Sequence, residues 1–170
     1  MSRQKARILV VEDSRADRML LTALLRRQGY SVIEAADGPA AIAQFEAARP
    51  DLVLLDVIMP GMDGIEVARV IGDAARRRFV PIIFLTALQE PAALARCLDA
   101  GGVDFLTKPY HDIILKAKLG VFLRMAEMQR QLQRQRDEIA RHNERLLQEQ
   151  EVAKVVYDKV AHHGDLDLPH

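Results

Sequence analysis

Five polar side chains in this sequence share one kind of address. Glu12 and Asp13, Asp56, Thr86 and Lys108 each fall at or just past the end of a short apolar run. The runs are ILVV at 8–11, LVLL at 52–55, IIFL at 82–85 and, more weakly, 103–107. A carboxylate such as Asp56, placed after four apolar residues, is expensive to hold unless a metal, a lysine or backbone donors compensate it. An aspartate so placed can act as a nucleophile and accept a phosphoryl group as an acyl phosphate. That chemistry needs the charges of carboxylate and donor phosphate neutralised. Glu12 and Asp13 can help hold Mg²⁺, a hard cation that takes one or two carboxylates together with waters and phosphate oxygens. Lys108 offers a point charge to a phosphoryl oxygen, and Thr86 a hydroxyl donor. Singly, each has a bland reading. The acidic pair could be a helix cap or dipole partner, Lys108 an exposed lysine and Thr86 a strand-end threonine. Recurring together at matching strand ends, they read as a site.

The elements that must position them follow from the same runs. Near-continuous Val/Ile/Leu stretches are the mark of buried parallel strands, and open parallel sheets bind ligands outside the carboxyl ends of their strands. Between the runs lie amphipathic stretches, the pattern of crossover helices. Ser14 is placed to cap a first helix to about Gln28, with Met19, Leu20, Leu24 and Leu25 at helical spacing and Gly29 ending it. A second strand covers 30–35. Asp37-Gly38-Pro39 starts a helix, with proline tolerated in its first turn, whose buried face is expected from Ala40, Ile42, Ala43 and Phe45. Pro50 breaks it. The turn from Gly61 to Gly64 leads into a third helix over 65–75. Pro81 opens the fourth strand, and an alanine-rich helix ends near Ala100-Gly101-Gly102. The expectation is an α/β fold of five strands and five helices with right-handed crossovers.

The bulk numbers bound the answer. A chain of 170 residues allows one ordinary domain plus an appendage, and 49% hydrophobic residues are ample for a core. Twenty-four basic residues balance 24 acidic ones, so charge gives no argument for nucleic acid or an anionic membrane surface. The single cysteine, Cys97, excludes an internal disulfide and reads as a small buried hydrophobe. No stretch approaches a membrane span, and the apolar run after the basic N-terminus is too short for a signal peptide. A cytoplasmic protein is expected.

From Tyr110 onward no strand pattern appears. Met125, Leu132, Ile139, Leu146, Ala153 and Val160 fall seven apart, and the interleaved row is Met128, Gln135, His142, Glu149 and Val156. A heptad this long signals a coiled coil, weakened by the polar middle of its second row. A helix this polar has no globular core to lie on, so a parallel homodimer through 125–160 is the natural way to bury its stripe. A solvated linker helix is the plain alternative. The organisation expected is a domain over 1–124, a coiled-coil helix over 125–161, and a polar, turn-rich tail over 162–170 leading to an output domain.

Taken jointly, the Glu12-Asp13 pair, LVLLD ending at Asp56 with V-I-M-P-G-M-D-G after it, F-L-T-A around Thr86 and D-F-L-T-K-P ending at Pro109 resemble the receiver domain of bacterial two-component response regulators. The resemblance covers about 5–124, and no required polar position departs from it. It implies a flavodoxin-like, doubly wound parallel sheet of strand order 2-1-3-4-5. By the resemblance Asp56 is the phosphoacceptor, charged from a histidine kinase or a phosphotransfer protein. Glu12, Asp13, Asp56 and the backbone carbonyl of Ile58 surround Mg²⁺, Lys108 and Thr86 contact the phosphoryl group, and the Lys108-Pro109 bond is cis. It also implies a switch: Thr86 moves toward the phosphoryl group and vacates space for the ring of Phe105, a local charge event biasing a two-state element. Ile58 and Leu88, two residues past Asp56 and Thr86, are bulky and apolar and offer no base to activate water, so slow autodephosphorylation is expected.

The heptad helix resembles the signalling helices that join receivers to enzymatic outputs. E-Q-E-V-A-K-V-V-Y-D-K-V at 149–160, with the polar segment after it, resembles the linker preceding PP2C-type serine/threonine phosphatase domains. A diguanylate cyclase or phosphodiesterase output, or a stand-alone dimerising adaptor, are the alternatives. No helix-turn-helix pattern supports DNA binding. An aspartate-nucleophile phosphatase of the haloacid-dehalogenase type would need a second aspartate at position 58, where Ile58 stands, so its general acid is missing. The chain itself is expected not to be an enzyme beyond phosphorylation and autodephosphorylation at Asp56.

Overall fold

The computed structural model describes residues 5–75, 78–87 and 89–164. Strands and helices alternate along it: β1 Arg7–Val11, α1 Arg15–Arg27, β2 Ser31–Ala35, α2 Gly38–Ala48, β3 Leu52–Asp56, α3 Gly64–Ala74, β4 Ile82–Thr86, α4 Pro91–Asp99, β5 Asp104–Thr107 and α5 Asp112–Gly164. The strands form one parallel sheet of order β2-β1-β3-β4-β5. This is the flavodoxin-like order expected from the sequence, followed by a long C-terminal helix.

Side chains alternate across a strand, and here both faces are buried. Leu9, Val11, Val53, Leu55 and Phe84 face one core with Phe45 of α2 and Val67 and Ile71 of α3. Ile8, Val10, Leu52, Leu54, Ile83 and Leu85 face the other, with Leu21 and Leu25 of α1 and Leu115 and Leu119 of α5. Continuous apolar runs were therefore the right signature for strands covered on both sides. Cys97 is buried in the first core, as a small hydrophobe.

Two helix faces differ from expectation. In α1 the buried residues are Leu21, Thr22 and Leu25, while Met19 and Leu20 are more than half exposed. One turn separates Leu21 from Leu25, and Met19 and Leu20 fall outside that stripe. In α2 the buried residues are Gly38, Ala41 and Phe45; Ala40 and Ile42 pack partly buried against the core as expected, and only Ala43 of the expected face is exposed. A spacing of three and four from Gly38 sets this face. Gly38 lies so close to the Met62 side chain that a Cβ would meet it at 2.8 Å.

By contact the chain divides into two compact units, Met1–Gln129 and Arg130–His170. α5 continues to Gly164, so His162 and His163, expected in the tail, are helical. Residues 165–170 of that tail lie outside the described residues. The heptad residues Leu132, Ile139, Leu146, Val156 and Val160 are all exposed. Among the described residues no helix is long and apolar enough to cross a membrane.

Candidate functional site

Because all five strands run parallel, their carboxyl ends share one edge, and the chain places acids there. Glu12 follows β1 and is completely buried, its N–H donating to the Ala35 carbonyl at 3.1 Å. Asp56 closes β3 and Thr86 closes β4, and both are buried. Lys108 follows β5, and its N–H donates to the Thr86 carbonyl at 3.0 Å. The next bond, Lys108-Pro109, is cis.

Glu12, Asp13 and Asp56 each bring a carboxylate oxygen within 4.8 Å of the others. The Lys108 ammonium sits among them, at 2.8 Å from Glu12 Oε2, 3.3 Å from Asp56 Oδ2 and 3.6 Å from Asp17 Oδ2. The Ile58 N–H donates to Asp56 Oδ1 at 3.2 Å, while the Ile58 side chain is exposed. The Ser14 N–H donates to Glu12 Oε1 at 3.1 Å. Ser14 also caps α1, its hydroxyl accepting from the Asp17 N–H. The cap therefore ties the start of the helix to the acidic pair.

Three carboxylates this close repel one another, and burial raises the stakes. The Asp56 carboxyl is pushed up to about 7, first by burial and then by the neighbouring Glu12, against the opposing pull of Lys108 and the Ile58 N–H. Burial works against the Lys108 charge, but Glu12 and Asp56 together outweigh it and hold its pKa above the ordinary value. Such a pocket is short of positive charge, which a divalent cation of oxygen preference would supply. The donor set therefore fits Mg²⁺.

Sequence reasoning missed several neighbours. The Tyr110 hydroxyl donates to Glu12 Oε2 at 3.3 Å, and burial, followed by the Glu12 charge, raises the pKa of its phenol strongly. Arg18 Nη1 donates to the Glu12 carbonyl at 2.6 Å, and its Nε lies 3.7 Å from Glu34. Asp17, one turn into α1, completes the acidic surround of Lys108. Only their closeness in sequence to Asp13 and Lys108 could have flagged them. Gly64 has a spatial reason: a Cβ there would come within 2.1 Å of the Asp56 carbonyl oxygen. The first turn of α3 thus lies against the backbone of Asp56.

Phe105 is half-buried, packed against the core beside its register partner Phe84 in β4. Leu88, expected to influence the site, lies outside the described residues.

A flavodoxin-like sheet with an acid cluster and a lysine at its carboxyl edge defines a narrow class of α/β domain. The response regulator receiver domain pattern matches residues 8–119, and the chain belongs to that family. Response regulator PleD of Caulobacter vibrioides is 45% identical over 114 residues, spanning 67% of this chain and 25% of PleD. Chemotaxis protein CheY4 of Vibrio cholerae superposes with a TM-score of 0.66 at 32% identity, over 69% of this chain and 98% of CheY4. A fusion carrying the yeast Spc42 trimeric coiled coil matches with a TM-score of 0.70 at 28% identity, over 88% of this chain and 98% of the fusion. The chain spans a quarter to about half of the length of the curated relatives it matches. Receivers of this family act in two-component signalling with histidine kinases or phosphotransfer proteins, and bind Mg²⁺ at an acidic pocket.

Proposed function

We propose that this receiver is a phosphorylation switch whose phosphoacceptor is Asp56. The observation that carries this reading is the convergence of Asp56, Glu12, Asp13 and Lys108 at one sheet edge. An Asp56 oxygen attacks the phosphorus of a phosphohistidine, and the P–N bond breaks as the acyl P–O bond forms. Glu12, Asp13, Asp56 and the Ile58 carbonyl would hold Mg²⁺, which when bound supplies charge neutralisation for the phosphoryl oxygens. Lys108 steadies a phosphoryl oxygen, and the Thr86 hydroxyl donates to another. Thr86 and Phe105 form the switch, with the ring taking space that Thr86 leaves.

The signal then passes along α5. Residues 1–124 act as the receiver and 125–161 as a signalling helix that pairs in parallel with a second copy. The Spc42 fusion, described as a trimeric coiled coil, matches over more of the chain than the receiver alone occupies, in keeping with a coil-forming helix. The 149–160 stretch supports an output domain of the PP2C phosphatase type.

The test is direct. Purified protein incubated with Mg²⁺ and acetyl phosphate gains the mass of one phosphoryl group. The gain is lost in Asp56→Asn and on removal of Mg²⁺. Incorporation that persists in Asp56→Asn would refute the assignment.

A further inference from the structure

Glu12 is completely buried, and a buried carboxylate is stable only when its oxygens are paired. Here the pairing is divided between fixed and movable donors. Oε1 accepts from the Ser14 N–H at 3.1 Å, a donor held by the main chain. Oε2 accepts from two side chains, the Lys108 ammonium at 2.8 Å and the Tyr110 hydroxyl at 3.3 Å. These two donors flank Pro109 in the sequence. The backbone of Glu12 is held separately: its N–H donates to the Ala35 carbonyl, and its carbonyl accepts from Arg18 Nη1. The main chain at Glu12 is thus fixed without Tyr110, and the phenol acts on the carboxylate alone.

Lys108 is a donor with competing claims on it. An ammonium offers three N–H groups, and three carboxylates face this one, Glu12 at 2.8 Å, Asp56 at 3.3 Å and Asp17 at 3.6 Å. A phosphoryl group on Asp56 adds negative charge and acceptor oxygens on that side, and draws the ammonium toward itself. Asp17, with 42% of its side chain exposed, can turn to water instead. Glu12 has no water to turn to, and a buried acceptor that loses its donor bears the full cost of desolvation. The Tyr110 hydroxyl carries no charge to be drawn away. Its ring is anchored, packed partly buried against the core that includes Leu115 and Leu119 of α5.

We propose that Tyr110 is a positioning residue of the phosphorylation site, whose hydroxyl holds Glu12 Oε2 in place while Lys108 is drawn to the phosphoryl group. Glu12 then keeps its station beside Asp13 and Asp56, where the metal is to be held. This rests on the reading of Asp56 as phosphoacceptor and of Lys108 as a phosphoryl contact. The role belongs to the oxygen rather than the ring, so a phenylalanine that fills the same space does not supply it.

The test compares the wild-type 170-residue chain with Tyr110→Phe and Tyr30→Phe. Two constants are measured: the Mg²⁺ dissociation constant by calorimetry, and the apparent dissociation constant of beryllofluoride, a mimic of the phosphoryl group, at saturating Mg²⁺ by fluorine NMR. Tyr110→Phe should bind beryllofluoride about tenfold more weakly, the equivalent of about 1.4 kcal/mol. Its Mg²⁺ constant, measured with Lys108 still on Glu12, should move less than about threefold. Tyr30→Phe removes a hydroxyl just before β2, at the opposite edge of the sheet, and should match wild type in both constants. Equal weakening of both constants in Tyr110→Phe is what lost packing alone would give, and would overturn the inference. Unchanged beryllofluoride affinity in Tyr110→Phe, with binding abolished in Asp56→Asn, would also overturn it and leave the Asp56 reading standing. A wild-type chain that binds no beryllofluoride would overturn both.

Discussion

At the scale of the residue, Asp56 is held against its preference. Its carboxyl titrates at about 7 in the fold against an ordinary value of 3.8. The folded state therefore binds the more protons between these values, and the stability Asp56 contributes is complete below the lower value and lost as pH rises through the higher. At about 1.4 kcal/mol per unit, the ceiling on this loss is about 4 kcal/mol. In EDTA, the wild type should lose stability from about pH 4 to about pH 7 and level off above that, and Asp56→Asn should lose less and be the more stable variant at the alkaline end. Urea melts of both proteins across that range check the sign. An Asp56→Asn protein no more stable than wild type at the alkaline end would show that Lys108 already compensates the carboxylate in full. Mg²⁺ added to the wild type should recover most of the loss, because it binds the ionised cluster of the native state alone. The polar members of this cluster were legible in the sequence because each follows an apolar run. Tyr110 and Arg18 were not, since each acts on Glu12 from a neighbouring helix or loop and belongs to no periodic pattern. The expectation of slow phosphoryl loss also belongs to this scale. Ile58, exposed beside Asp56, supplies no base, and a phosphoryl lifetime of hours in the isolated protein, followed by mass spectrometry, is the expected result.

At the scale of the element, site geometry depends on how α3 begins. Its N-cap is a capping box, with the Asp63 side chain accepting from the Glu66 N–H and the Glu66 side chain accepting from the Asp63 N–H. Gly64 follows and lets the helix press against the Asp56 backbone. Gly64→Ala must push that backbone aside, because its Cβ would meet a carbonyl oxygen rather than a flexible side chain. It should cost about 1–3 kcal/mol and slow phosphorylation by acetyl phosphate. Asp63→Ala should cost about 1 kcal/mol through the lost cap and leave phosphorylation near wild type. A Gly64→Ala protein with wild-type stability and rate would remove this role from α3. Strand positions were readable because parallel strands buried on both faces leave continuous apolar runs. The helix faces were less so. In α1, Met19 and Leu20 are as apolar as Leu21 and Leu25, and only the docked helix decides which pair faces the core. In α2, alanines occupy both faces, so hydrophobicity alone could not fix its rotation; in the fold Gly38, Ala41 and Phe45 turn inward.

At the scale of the whole molecule, the polar second row of the heptad would limit how firmly the proposed pair of copies holds. Met125, Leu132, Ile139 and Leu146 supply one apolar row, but Gln135, His142 and Glu149 interrupt the other. Polar core positions lower coiled-coil stability while fixing register, and a weakly held seam is one that a local event at the receiver can shift. The seam can be made firm by substitution: Gln135→Leu, His142→Leu and Glu149→Leu together complete the second row. Light-scattering mass, with Mg²⁺ and with or without beryllofluoride as a phosphoryl mimic, then separates two mechanisms. If association is the signal, the wild type should change mass with the mimic, and the filled-seam variant should be dimeric in both states. If the coil is a constitutive clamp, both proteins are dimers throughout, and the signal travels as a change in helix packing. A trimer in either state would replace the two-fold seam with a three-fold one. A filled-seam variant that stays monomeric would refute the coil itself, because three added leucines each bury enough apolar surface to pull a marginal seam together.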